Sequence, residues 1–145
     1  MIYVDTSVLV ALVTQEAATA QVEAWFGTIV EPLVSADWSL TEFHSAIAIK
    51  IRTGQLSSDQ ADGALVLFER LTAGGMTLVP VTRLAYRIAA DLVDDHQHGL
   101  RGADALHLAV AQELDLQRFA TLDRNQSRNA QRLGFTLELP LIHGL

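Results

Sequence analysis

Short apolar runs alternate with stretches of helical periodicity from the second residue almost to the end of the chain, and that alternation most constrains the fold. Residues 2–4 are apolar and are followed at once by Asp5-Thr6-Ser7, which can cap a helix over residues 8–12. A second helix is expected from about residue 17 to residue 26, and residues 32–36 read as the next buried strand. Ser39-Leu40-Thr41-Glu42 has the spacing of a capping box and opens a helix on which Leu40, Phe43, Ile47 and Ile51 recur before Gly54. Ser57 and Gln60 repeat the capping-box pattern for a helix that carries Ala64, Phe68 and Leu71 and stops at Gly74-Gly75. Residues 76–81 are the third strand, in which Pro80 cannot donate to a ladder and so marks an edge or a strand end. From Thr82 the spacing of Leu84, Ile88 and Leu92 predicts another helix, and Gly99 breaks the chain before Arg101-Gly102-Ala103-Asp104 opens one more. Residues 119–122 read as a fourth strand ending at Asp123, followed by a helix over 124–133, Gly134 and a last strand over 135–139.

Apolar strands joined through helices require right-handed crossovers and a mainly parallel sheet covered on both faces. The expected architecture is therefore a three-layer α/β/α fold around four or five strands, and 145 residues leave room for one such domain. The longest wholly apolar run, residues 8–13, is far short of the roughly 20 residues that span a bilayer, so no membrane segment is expected. The N-terminus lacks the basic and apolar regions of an export signal, and the expected location is the cytoplasm. With no cysteine, thiol catalysis, disulfides and thiolate metal sites are excluded, which leaves carboxylates and histidines as metal ligands. A formal net charge of -7 argues against binding nucleic acid through the field of the whole protein. A phosphate-bearing partner has to meet a local cationic patch or bound metal ions.

Ligands in parallel α/β folds collect at the carboxyl ends of the strands. Asp5 and Asp123 directly follow predicted strands, and Glu42 and Asp104 lie in the first turns of helices that can begin on the same side. Each acid alone has a structural reading: Asp5 and Asp123 as helix N-caps, Asp104 as a complement to a helix dipole, Glu42 as the capping-box partner of Ser39. Taken together, four carboxylates on one rim repel and raise one another's pKa unless a hard divalent ion neutralises them.

The stretches Ile2-Tyr3-Val4-Asp5-Thr6-Ser7, Leu40-Thr41-Glu42, Arg101-Gly102-Ala103-Asp104-Ala105-Leu106-His107-Leu108-Ala109 and Thr121-Leu122-Asp123-Arg124 resemble the motifs of PIN-domain ribonucleases, specifically the VapC-type toxins. Their order and spacing match across essentially the whole chain, which is thereby expected to be a single PIN-like domain over residues 1–145. The resemblance implies a Mg²⁺- or Mn²⁺-dependent endoribonuclease that acts on RNA, is held inactive by a cognate VapB-type antitoxin and forms a homodimer. It also implies that Asp5, Glu42, Asp104 and Asp123 are the catalytic, metal-binding acids. Many relatives carry a further acid where this chain has Asn125, which offers a carbonyl oxygen without charge.

Thr6 and Ser7 are candidates to orient Asp5 or a metal-bound water, although helix capping explains either hydroxyl equally well. His107 lies one turn beyond Asp104 and reads as a buried structural histidine, because the oxygen-rich set already suits a hard ion. His44, His96, His98 and His143 form no ligand spacing. Arg101, Arg124 and Arg128 flank the acids in sequence and are candidates for RNA phosphates or for pairing with neighbouring acids. Trp25 and Trp38 are more naturally core or interface residues than base-stacking platforms.

Three other readings compete with the nuclease. A phosphoacceptor signalling domain also gathers acids at strand ends, but it needs a lysine after a late strand, and Lys50, in a predicted helix, is the chain's sole lysine. A phosphatase with an Asp-x-Asp nucleophile fails because Ser7 occupies the second acid's place. A non-catalytic PIN-like binding module is disfavoured by the intact acids and left open by Asn125.

Overall fold

The computed structural model describes residues 1–139, so His143 lies outside the described residues. Each segment read above as a strand becomes one. The strands β1 (Ile2–Val4), β2 (Leu33–Ala36), β3 (Met76–Val79), β4 (Arg118–Ala120) and β5 (Thr136–Leu137) form one sheet in the order β3-β2-β1-β4-β5. Every pairing is parallel, so the expected mainly parallel sheet is wholly so. Each connection between strands crosses over a face of the sheet through helices, as parallel neighbours demand.

The alternation of side chains along the strands divides the core in two. Ile2, Val4 and Leu33 pack beneath α1 (Thr6–Val13), α2 (Thr19–Phe26), α3 (Trp38–Arg52) and α4 (Ser58–Gly74), where Phe43 and Phe68 stack with ring centroids 4.0 Å apart. Tyr3, Val34, Ala36 and Phe119 face α5 (Arg83–Asp94), α6 (Gly102–Glu113) and α7 (Arg124–Arg132). Tyr3 stacks on Phe119 at 5.1 Å, and Phe119 meets Phe135 at 5.5 Å. A strand buried on both faces has no polar side to spare, which is why β1 reads as a continuous apolar run. Among the described residues no helix is long and apolar enough to cross a membrane.

Several boundaries differ from expectation for identifiable reasons. The second helix starts at Thr19 rather than near residue 17, because the Thr19 hydroxyl is held between the Ala11 and Thr14 carbonyls and accepts the Glu16 N–H at 2.8 Å. β3 stops at Val79 on the sheet edge, directly before Pro80, and the Val79 carbonyl accepts the Asp37 N–H at 2.7 Å. The Ser57–Gln60 capping box forms as read. The Ser39–Glu42 box does not. α3 begins two residues earlier than that box requires, at Trp38, with Asp37 at its N-cap and no side-chain cap. Ser39 is buried, its Oγ 2.5 Å from that of Ser35, and Glu42 turns to partners outside its own helix.

Between α5 and α6 the chain makes a short 3₁₀ turn at His96–His98 and then reverses at Gly99, whose φ of 60° lies in the left-handed region that glycine adopts without strain.

Candidate active site

β1 and β4 are neighbours, and both run out at the same edge of the sheet. Asp5 follows β1 and is the N-cap of α1: one carboxylate oxygen accepts Ser7 N–H at 3.1 Å and Val8 N–H at 3.4 Å, and also the Ser7 hydroxyl. The other oxygen accepts the Thr121 hydroxyl. Asp5 is 4% exposed, and burial raises its carboxyl pKa against the opposing pull of His107 and of the hydroxyls of Ser7 and Thr121. The capping and site readings of Asp5 therefore coexist in one side chain.

The fourth strand ends at Ala120 and not at residue 122, because the chain beyond it is held by side chains instead of a ladder. Leu122 N–H donates to Ser7 Oγ at 2.9 Å, and Asp123 N–H donates to Thr121 Oγ1 at 3.1 Å. Asp123 then caps α7 by accepting Gln126 N–H at 2.7 Å. Ser7 and Thr121 thus tie the loop carrying Asp123 to the residue that follows β1. Ser7 acts as expected on Asp5, while Thr6 serves a different acid. Thr121 has no role assigned from sequence; a hydroxyl two residues before a strand-end aspartate is the local signal for it.

Glu42 projects from α3 toward α1 and α6. Its Oε1 accepts the Thr6 hydroxyl at 2.7 Å and contacts His107 Nε2. His107 is 2% exposed, and its Nδ1 lies 2.8 Å from the Tyr3 hydroxyl. The Glu42 carboxylate accepts, so His107 Nε2–H donates to it, and the ring bridges Glu42 and the Tyr3 hydroxyl through its two nitrogens. Tyr3 is pushed well above the usual phenol range, chiefly by burial and further by Asp5 and Glu42, so it stays protonated. The buried structural reading of His107 agrees with this geometry, and the ring also holds the Glu42 carboxylate in place.

Asp104 sits in the first turn of α6, 3.3 Å from Arg101 Nε. Burial raises its pKa most, Arg101 opposes this, and the charge of Asp123 raises it further. Asp104 and Asp123 therefore feel one another electrostatically, as acids on a shared rim must. A folded-state pKa above the ordinary 3.8 makes the ionised carboxylate a cost to stability that is complete above the folded pKa and absent below the unfolded one. Metal-free Asp104→Asn is accordingly expected to melt higher than the wild type near neutral pH, with the advantage shrinking as pH falls through the acid range. Arg101, 77% exposed, loses little by the change. Melting curves across pH check this, and a pH-independent difference would contradict it.

The remaining candidates divide. Asn125 donates its amide to Gly99 O at 2.8 Å, tying α7 to the turn before α6. Trp25 donates to Glu138 at 3.1 Å, and that carboxylate also binds Arg118, so Trp25 belongs to a latch on β4 and not to the acidic rim. Trp38 packs against the core on the α5–α7 side. Arg124 and Arg128 lie on the exposed side of α7.

A cleft of about 420 Å³ opens at this edge between Thr6, Ser7, Val10, Glu16, Glu42, Ala46, Leu122 and Asp123. Glu16 carries no sequence signal of its own; its carboxylate is paired with Lys50 at 2.9 Å. Among the described residues no three His, Asp or Glu side chains already close on a common point. Mg²⁺ takes oxygen ligands, keeps several waters and is held by one or two carboxylates together with substrate phosphates. The donor set fits as well: it is oxygen-only, and in two of its members, Asp5 and Asp104, the environment penalises the negative charge that a cation would offset.

The fold is similar to that of known proteins. The PIN domain family model matches residues 2–131. No curated protein matches the chain. Among solved structures, VapC20 of Mycobacterium tuberculosis, described as a sarcin-ricin loop cleaving toxin, is 20% identical, covers 94% of this chain and 97% of its own, and superposes with a TM-score of 0.73. FitAcB of Neisseria gonorrhoeae is 22% identical over 94% of this chain and 96% of its own, with a TM-score of 0.67. VapBC-5 of Mycobacterium tuberculosis, from the VapBC family of toxin-antitoxin systems, is 21% identical over 94% and 95%, with a TM-score of 0.63. At these identities the likeness is one of fold.

Proposed function

The chain belongs to the PIN-domain family, and from that premise we propose that it is a divalent-cation-dependent endoribonuclease, the toxin of a toxin–antitoxin pair. The reading is supported by Asp5 and Asp123 following neighbouring parallel strands, by the electrostatic contact of Asp123 with Asp104, and by the hydroxyls and imidazole that hold Asp5 and Glu42. These four would hold Mg²⁺ or Mn²⁺, which when bound lowers the pKa of water and offsets charge on phosphoryl oxygens.

The chain's own groups supply orientation and proton bookkeeping. Ser7 and Thr121 keep both oxygens of Asp5 in fixed directions, so the carboxylate need not reorganise when a phosphodiester arrives. Thr6 and His107 do the same for Glu42, and the Tyr3 hydroxyl holds the His107 ring from behind. Arg101, beside Asp104 and largely exposed, is placed to meet a phosphate oxygen.

The structural relatives include a sarcin-ricin loop cleaving toxin and, separately, the DNA-bound FitAB and Rickettsia felis VapBC2, which favours an RNA substrate and a VapB-type antitoxin as partners here, with a homodimer and a cytoplasmic setting completing the reading. The intact, oriented acids disfavour a purely non-catalytic binding module. Incubation of antitoxin-free protein with total RNA, followed by mapping of the cut ends, tests the proposal. Discrete cuts are expected with Mg²⁺ or Mn²⁺ and none in excess EDTA. Undiminished cutting in chelator would sink the cation dependence, and intact RNA under all conditions would leave only a binding module.

A further inference from the structure

α7 reads Arg-Asn-Gln-Ser-Arg-Asn-Ala-Gln-Arg, with an arginine at every fourth position and no acidic residue, in a chain of net charge -7. Residues four apart on a helix are neighbours, so Arg124, Arg128 and Arg132 form one ridge of mutually repelling cations. The ridge starts beside Asp123, the N-cap, and leads away from the acidic rim. The Arg128 side chain makes no ion pair or hydrogen bond among the described residues, and Arg132 bonds only the neutral Asn129 Oδ1, at 3.1 Å.

A second observation gives the ridge a shape. A cleft of about 320 Å³ lies between α7 and the 3₁₀ turn, lined by Gln97, His98, Asn125, Arg128, Asn129 and Arg132 together with the Gly99 backbone. No carboxylate and no apolar side chain lines it. Its walls are fixed by the protein itself: Asn125 donates to Gly99 O at 2.8 Å, and Asn129 donates to His98 O at 3.2 Å. The nearby acid, Asp95, is paired with His98 at 3.2 Å. A pre-formed groove rich in donors and lacking apolar anchors suits a phosphodiester backbone better than a peptide, whose binding rests on buried apolar and aromatic groups.

We propose that this groove binds the phosphates of the RNA strand on one side of the cleavage point, with Arg128 and Arg132 taking phosphate oxygens through their planar guanidinium forks. The inference rests on the ribonuclease reading for the identity of the polyanion, and it assigns the flanking strand to a place that the acids do not provide.

The test compares wild type, the double variant Arg128→Gln/Arg132→Gln and the double variant Arg128→Lys/Arg132→Lys, with melting curves to show that all three are folded. Binding of a fluorescent single-stranded RNA is measured in EDTA over a range of KCl, and cleavage of the same RNA is measured with Mg²⁺. The Gln variant is expected to lower the slope of log affinity against log salt by about 1.4, about 0.7 for each phosphate no longer neutralised, and to raise KM about threefold or more with kcat within about twofold. The Lys variant keeps the slope and binds more weakly, because the charge remains and the fork is gone. Unchanged slope and KM in the Gln variant, or no salt-dependent RNA binding by the wild type, would overturn the groove assignment. So would unchanged RNA binding with lost binding of a poly-glutamate peptide, which would make the groove a protein site. Arginine-dependent RNA binding by a wild type that cuts nothing would support the groove and sink the nuclease reading, so the two failures are separable.

Discussion

Asp5→Asn is expected to lower RNA cleavage by about a thousandfold or more and to leave the protein folded. The magnitude follows from the several kcal/mol that a bound cation contributes to charge stabilisation in phosphoryl transfer, about 4 kcal/mol being a factor of a thousand. Preservation of the fold follows from the local bonding. Asparagine keeps an oxygen for the Ser7 and Val8 N–H groups and the Ser7 hydroxyl, and its amide takes the place of the oxygen that faces Thr121. The Thr121 hydroxyl has to turn from donor to acceptor while still receiving Asp123 N–H, which weakens that corner. Against this, a buried charge that the environment disfavours is gone. The two effects oppose each other, so the metal-free melting temperature moves little. Cleavage rates on a mapped RNA, with a circular-dichroism melt of the same preparation, check both halves; a folded Asp5→Asn protein that cuts at the wild-type rate would remove Asp5 from the mechanism.

Glu42→Gln is expected to lower cleavage by at least about a hundredfold with the start of α3 unchanged. In the sequence Glu42 has two readings with opposite outcomes, and the structure removes one of them. Glu42 does not cap its own helix. Its Oε1 is instead the terminal acceptor for Thr6 and His107. Glutamine retains an acceptor oxygen for the Thr6 hydroxyl and the His107 Nε2–H, so packing survives, while the charge that draws a cation is lost. Mutation of groups that merely orient a metal ligand costs about 10–100-fold, which sets the lower bound for replacing a ligand itself. Wild-type cleavage by Glu42→Gln would leave a three-acid site, and lost cleavage accompanied by a much lower melting temperature would mean that the Thr6–Glu42–His107 network is structural.

The layered parallel fold is legible because its strands are buried on both faces and so stand out as apolar runs between amphipathic stretches. Boundaries move where a side chain replaces a backbone partner: Thr19 delays α2, and Ser7 and Thr121 take Leu122 and Asp123 out of the β4 ladder. The Ser39–Glu42 motif satisfies a local rule, yet Ser35 and Thr6 compete for its two members from other elements. Asp5 and Asp123 are legible because a strand that runs straight into a helix puts its capping acid at the ligand-binding edge of the sheet. The roles of Thr121 and His107 are not, because they depend on contacts between residues more than a hundred positions apart, Asp5 with Thr121 and Tyr3 with His107, which exist only once β4 and α6 are packed.

The central claim is that these carboxylates form one site for a hard divalent cation, and calorimetric titration of metal-free protein with Mn²⁺ tests it most directly, with wild type, Asp5→Asn and Glu42→Gln side by side and no RNA present. The wild type is expected to bind saturably and to gain about 2.7 kcal/mol of stability at a hundred times its Kd. Both variants are expected to bind at least about tenfold more weakly and to lose the corresponding thermal shift. Equal Mn²⁺ affinity and equal thermal shift in all three proteins would contradict the account.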